Sequence, residues 1–190
     1  MKKFGLISLT LFLLFGFLPQ ANANDSVITL VSKPHQLFDG TFINDDLATD
    51  LSPTGSLGKA IEQKRTGTRT WIIDAALLDE IADMANGYQL KNEATPTGEL
   101  VAKEWMARLL LATSGDRINV LPYGNPDGEL AKKLAPSELR FYSVYANERV
   151  AFHLNRRVAT ENTLLSDSGK SELSGPLRKK YTQNRQALTT

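Results

Sequence analysis

The sequence predicts an α/β protein in which parallel strands alternate with helices to build an incomplete TIM-barrel-like (β/α) core. Three observations point there. Short β-branched or apolar runs recur at residues 26–31, 70–73 and 118–121. Each is followed by a segment whose apolar residues repeat at helical spacing. The middle run, Thr70-Trp-Ile-Ile73, has no polar interruption after its first residue, as expected of a strand buried on both faces of a parallel sheet. Strand and helix alternating three times is the pattern of right-handed βαβ units. Three strands do not close an eight-stranded barrel, which takes about 250 residues.

The first strand, residues 26–31, is short, β-branched and bounded by Pro34. A loop follows at 34–41, with His35 and the turn pair Asp39-Gly40, and then a weak helical turn at 44–51. Ser56 is placed to cap a helix over 57–64, and Gly55-Ser-Leu-Gly58 reads as that helix's entrance. After the second strand, Leu77, Leu78, Ile81, Ala82 and Ala85 mark a helix that Gly87 closes. Residues 88–97 form a polar surface loop. A helix from Thr97 to about Thr113 carries an apolar stripe of Leu100, Val101, Trp105, Leu109 and Ala112, with Trp105 read as core. The third strand breaks into Pro122-Tyr-Gly-Asn-Pro-Asp127, and a helix opens at Gly128. Ser137 caps a long helix to about Arg149, with Leu139, Tyr142, Tyr145 and Ala146 on one side. Residues 150–154 either extend it or form a strand, and His153 reads as a satisfied histidine rather than a ligand.

The ends of the chain carry different information. Lys2 and Lys3 precede an apolar run over residues 4–18, and Ala21-Asn-Ala23 has the small-x-small form that signal peptidase cleaves. A signal peptide at 1–23, cleaved after Ala23, is therefore expected, the alternative being a retained anchor. An α/β domain at 24–158 follows, then a basic tail at 159–190, partly disordered or helical. From Arg156 onward there are seven Lys or Arg and three Asp or Glu. Removing Lys2 and Lys3 leaves 20 basic against 21 acidic residues, which argues against nucleic acid as a partner. The chain has no cysteine, so neither disulfides nor thiol chemistry enters. No membrane span is expected once the leader is removed.

Two strand exits carry acids. Asp74 stands where the second strand meets its helix, and Asp127 where the third strand's loop meets the next helix. Each residue suits a helix cap. Each equally suits the crevice above the carboxyl ends of parallel strands, where α/β folds build their sites. Asp74 and Asp127 are the candidate catalytic pair, and His35, Asp39, Tyr123 and Asn125 the candidate binding residues. No metal site or other cofactor is expected: with only His35 and His153 available, an aspartate and two-histidine metal triad is not supplied. No Gly-x-Ser-x-Gly or phosphate-cradling glycine loop occurs either.

Asp39-Gly-Thr-Phe, Asn44-Asp-Asp-Leu47, Leu57-Gly58, Thr70-Trp-Ile-Ile-Asp-Ala-Ala-Leu-Leu78, Met84-Ala-Asn-Gly-Tyr88 and Leu121-Pro-Tyr-Gly-Asn-Pro-Asp127, in that order, resemble a family of uncharacterised actinobacterial cell-envelope proteins. Those proteins have a long extracytoplasmic region and usually a C-terminal transmembrane helix. The chain resembles their N-terminal part over roughly residues 34–127 and departs from them in being much shorter and lacking the terminal anchor. More distantly, the strand-end aspartate followed by a Pro-Tyr loop is similar to the leading strands of polysaccharide deacetylase and glycoside hydrolase barrels. The resemblance implies a secreted or extracytoplasmic protein of the cell envelope. The expected function is a non-catalytic module binding cell-wall glycan or another envelope protein, the alternative being a carbohydrate-active hydrolase that uses Asp74 and Asp127.

Overall fold

The computed structural model describes residues 25–158. The expected leader and the basic tail lie outside the described residues. Three parallel strands form one open sheet in the order β1-β2-β3: β1 (Ser26–Leu30), β2 (Arg69–Ile73) and β3 (Arg117–Val120). Two helices follow each strand: α1 (Asp46–Leu51) and α2 (Ser56–Glu62), α3 (Ala75–Ala85) and α4 (Glu99–Ala112), α5 (Gly128–Leu134) and α6 (Pro136–His153).

Register explains how the core assembles. Ile28 pairs with Trp71 and Trp71 with Ile118, while Leu30 pairs with Ile73 and Ile73 with Val120. Paired residues in a sheet point to the same face, so these six side chains make two apolar rows across all three strands. They join one buried core with Leu47 and Leu51 of α1, Leu57 and Ile61 of α2, Leu77, Leu78, Ile81 and Met84 of α3, Trp105 and Leu109 of α4, and Ala146 and Val150 of α6. The other face holds the rows Val27–Thr70–Arg117 and Thr29–Ile72–Asn119. Every residue of β2 is buried, as its unbroken apolar run requires of the central strand.

Several helix ends differ from expectation for local reasons. Gly55 caps α2 and Ser56 is its first residue, so the serine hydroxyl bonds Asp50 instead of the helix amides. Gly98 caps α4 because a Cβ there would lie 2.6 Å from Ala48 Cβ and 2.7 Å from the Tyr88 hydroxyl. Leu100 is 66% exposed and leaves the expected stripe, of which Trp105 and Leu109 are buried and Val101 and Ala112 partly so, while Ala102 joins the buried side. Ala135 occupies the cap position of α6, with Pro136 at its first turn, and Ser137 bonds Glu138. Residues 150–153 extend α6, and its buried side runs through Leu139, Ser143, Ala146, Val150 and His153, while Tyr142 is exposed. Gly87, at φ 96°, takes the left-handed conformation that closes α3 after Asn86.

Candidate functional site

Parallel strands direct all three exits to one edge of the sheet. The Asp74 amide bonds Leu30 O and the Leu121 amide bonds Ile73 O, both just past the strands, so the three exits stay in register as they leave. The resulting rim consists of the loop after β1, the β2–α3 junction at Asp74, and the loop after β3 from Leu121 to Asp127.

Asp74 sits at the centre of this rim and is 4% exposed. Its Oδ1 accepts the Ala76 amide of α3 and the Gly124 amide of the β3 loop, each at 3.0 Å. The residue is therefore both the cap of α3 and the tie between two strand exits. Burial pushes its carboxyl up to about 6, the two amides oppose that rise, and the charge of Asp79 adds to it.

Asp127 is exposed, and its Oδ1 accepts the amides of Glu129 and Leu130, the first turn of α5. Between the two aspartates, the chain adopts left-handed backbone at Gly124 (φ 72°) and Asn125 (φ 44°). Asparagine tolerates this region better than most residues. Tyr123, half-buried, donates its hydroxyl to Asp79 Oδ2 at 2.9 Å. Burial first and then the Asp79 carboxylate push that phenol up. Its ring lies 5.0 Å from Tyr145, which in turn stacks at 6.0 Å on the exposed Phe141.

On the β1 side, His35 is 1% exposed and its Nε2 lies 2.9 Å from Ser32 Oγ. Burial, then Lys33, lowers its pKa. The imidazole of this candidate binding residue is thus turned into the protein. Asp39 is exposed and takes the Thr41 amide and hydroxyl at 3.0 and 2.7 Å, closing a turn in which Gly40 has φ 85°. These bonds lower the Asp39 pKa. Phe38, at the tip of that turn, is fully exposed.

The residues that bind this rim together are ones the sequence reading passed over. Asp79 of α3 receives Arg149 Nε and one terminal guanidinium nitrogen at 2.9 and 2.7 Å, His153 Nε2 at 2.5 Å, and the Tyr123 hydroxyl. Burial alone would raise its pKa, but the bonds from His153, Arg149 and Tyr123 hold it below the usual value. Glu80 accepts the amides of His35 and Gln36. Burial, reinforced by Asp74 and Asp83, pushes its carboxyl up to about 7. Asp83 takes the Gln36 side-chain amide at 3.0 Å. Helix α3 thereby reaches both neighbouring exit loops with its carboxylates. In the sequence these acids are ordinary polar positions of an amphipathic helix; only their partners, 44 to 74 residues away, distinguish them.

Among the described residues no group of three His, Asp or Glu side chains is arranged to hold a metal ion. No helix there is long and apolar enough to cross a membrane. Comparison with protein families, curated proteins and solved structures finds no match to this chain.

Proposed function

We propose that the chain is an exported, non-catalytic module of the cell envelope that binds a glycan or another envelope protein along the rim of its strand exits. The observation that carries this reading is how the two candidate carboxylates are used. Asp127 caps α5, and Asp74 caps α3 while tying down Gly124. A general acid and base would need their oxygens directed at a substrate, with a separation of about 5 to 9.5 Å across the scissile bond. Here Oδ1 of each accepts two backbone amides. Beside them, Tyr123, Tyr145 and Phe141 offer aromatic surface, and Asn125 stands on the constrained loop after β3, a combination suited to recognition.

The strand order also supports a barrel-like scaffold. Consecutive parallel strands in the order β1-β2-β3 are what the opening units of a (β/α) barrel have, whereas a doubly wound sheet reverses order about its first strand. An envelope location rests on the leader at 1–23 and on the resemblance to actinobacterial envelope proteins; N-terminal sequencing of the exported protein tests it, with Asn24 as the expected first residue.

Binding is tested by titrating the chain with solubilised cell-wall glycan and with envelope extract fractions. Saturable binding that weakens in Tyr123→Ala and Asn125→Ala and survives in Asp127→Asn is the expected result. A hydrolase that uses Asp74 and Asp127 is the second reading, favoured by an Asp74 carboxyl near 6, which suits proton donation close to neutral pH. Release of reducing ends from the same glycan, lost in both Asp74→Asn and Asp127→Asn, would establish it in place of the first.

A further inference from the structure

Helix α6 has two unlike faces. Leu139, Ser143, Ala146, Val150 and His153 turn into the protein. On the opposite side Phe141, Tyr145, Glu148 and Phe152 fall in one line, within about 60° of one another on a helix of about 3.6 residues per turn. Phe141 and Phe152 are each more than half exposed, and so is Val144 on the flank of the line. Isolated exposed apolar residues are ordinary, but a row of them along one helix face marks a surface that another molecule covers.

The spacing of the row identifies its occupant. Steps of four, three and four residues are the heptad seam of a coiled coil, the narrow stripe by which one helix packs along another. The row is also symmetric about its midpoint, between Ala146 and Asn147, with phenylalanine at each end and one polar residue on either side of the centre. An identical helix laid antiparallel across a two-fold axis at that midpoint sets Phe141 against the Phe152 of the other copy, and Tyr145 against its Glu148. Each match then occurs twice, as an isologous contact requires. The phenol hydroxyl donates and the carboxylate accepts, so the charged residue of the seam meets a group that satisfies it.

We propose that the outer face of α6 is a self-association surface, on which a second copy of this chain docks antiparallel through Phe141, Tyr145, Glu148 and Phe152. The helix passes the rim where the Tyr123 amide bonds Tyr142 O, and it ends near the start of β3, where Arg156 bonds Asp116 O. An antiparallel pair therefore holds its two rims facing opposite ways. Phe141 and Tyr145 belong to both surfaces, so pairing leaves Tyr123 and Asn125 as the open part of the rim. The seam is small. Two phenylalanines and a valine per chain supply less than the about 800 Å² per partner of a standard interface, which makes the dimer a weak one, with a dissociation constant on the order of 10–100 μM. The pairing does not depend on what the rim binds.

Sedimentation equilibrium of the full chain from about 1 to 500 μM tests it, a range that brackets a weak dimer. The average mass should climb from one chain toward two and stop there, because a two-fold contact closes on itself. Phe152→Ser and, separately, Val144→Asp should each raise the dissociation constant by about ten-fold or more. Both side chains are exposed, and if Phe152→Ser does not fold, Val144→Asp decides alone. Cross-linking reads the register, since the chain has no cysteine of its own. An equimolar mixture of Phe141→Cys and Phe152→Cys chains should oxidise to a mixed dimer. Neither variant should link to itself, because its two copies lie about 16 Å apart along the seam. A monomer throughout the range overturns the proposal, and so does a mass that passes two chains. A dimer that the substitutions leave unweakened, or self-linking as ready as mixed linking, overturns it equally.

Discussion

The Gly124 amide donates to Asp74 Oδ1 at 3.0 Å, so the exit of β3 is fastened to the exit of β2 by the same oxygen that caps α3. This bond links two loops 50 residues apart in sequence. It makes the stability of the rim depend on the ionisation of one buried carboxyl.

The dependence has a definite sign. The folded pKa of Asp74, about 6, exceeds its ordinary value of 3.8, so the folded state binds this proton more tightly than the unfolded chain does. The group's contribution is most favourable below pH 3.8, declines as pH rises, and levels off above about 6. Asp74→Asn keeps an acceptor for both amides and removes the ionisation. It should match the wild type at pH 3.5 and be more stable at pH 8 by as much as about 3 kcal/mol. Asp74→Ala should lose about 1–3 kcal/mol at pH 3.5, since the cap and the Gly124 bond both disappear, and, being equally unable to ionise, should gain on the wild type between the two pH values by the same amount as the Asn variant. Urea unfolding of the three proteins at the two pH values checks this; an Asn variant less stable at pH 8 would refute the account.

Asp79 behaves in the opposite sense. Its pKa is lowered, so its stabilisation is present above the ordinary carboxylate range and is lost as pH falls through the lower folded value. Asp79→Asn should cost about 2 kcal/mol at pH 7, with the nearly buried His153 losing more than the one-third-exposed Arg149. The gap to wild type should narrow below about pH 3.8. Thermal unfolding of Asp79→Asn, Arg149→Met and the double variant, read as a cycle, should give a coupling of about 1 kcal/mol between the pair.

These two aspartates also mark the boundary of what the sequence discloses. Strand runs such as Thr70-Trp-Ile-Ile73 were legible because burial on both faces of a sheet demands a short, unbroken apolar segment rich in bulky and β-branched residues. Asp74 was legible as a cap or a rim residue, and it acts as a cap that also reaches the next loop. Asp79, Glu80 and Arg149 were not legible, because a charged residue on a helix looks the same whether it faces water or a distant loop. Leu100 failed for a related reason: helical spacing marks a stripe but not its edges, and the buried side of α4 runs through Ala102, Trp105 and Leu109, leaving this leucine in solvent.

At the opposite edge of the sheet, Asp116 carries a different load. Its fully buried carboxylate pairs with Arg69 Nε at 2.6 Å and Arg65 at 3.0 Å, and accepts Trp71 Nε1 at 2.8 Å. Arg69 itself is 8% exposed and also bonds Gln63 O and Ala112 O. Asp116→Asn leaves a buried guanidinium without its counter-charge and should cost about 3–5 kcal/mol. Arg65→Ala, removing a partner that is 53% exposed, should cost less than about 1 kcal/mol. Equal losses in the two variants, measured by chemical denaturation, would refute this division.

Gly58 offers the sharpest steric test. The Leu57-Gly58 step reads from sequence as a helix entrance, yet α2 turns so closely on the end of α1 that a Cβ on Gly58 would stand 1.8 Å from Ser52 O. A Cβ on Gly55 would stand 2.2 Å from Thr49 O. Backbone carbonyls cannot rotate away as a side chain can, so the two helices would have to separate, and Leu51 and Leu57 are both in the core they share. Gly58→Ala should therefore destabilise the protein by about 3 kcal/mol, although alanine is the better helix former by about 1 kcal/mol. Ser56→Ala, two residues earlier, exposed and bonded only to Asp50 at 3.3 Å, should change stability by less than about 0.5 kcal/mol. Denaturant midpoints for the two variants decide the matter: if Gly58→Ala proved neutral, the close contact between α1 and α2 would be wrong, and with it the path of the chain from β1 to β2.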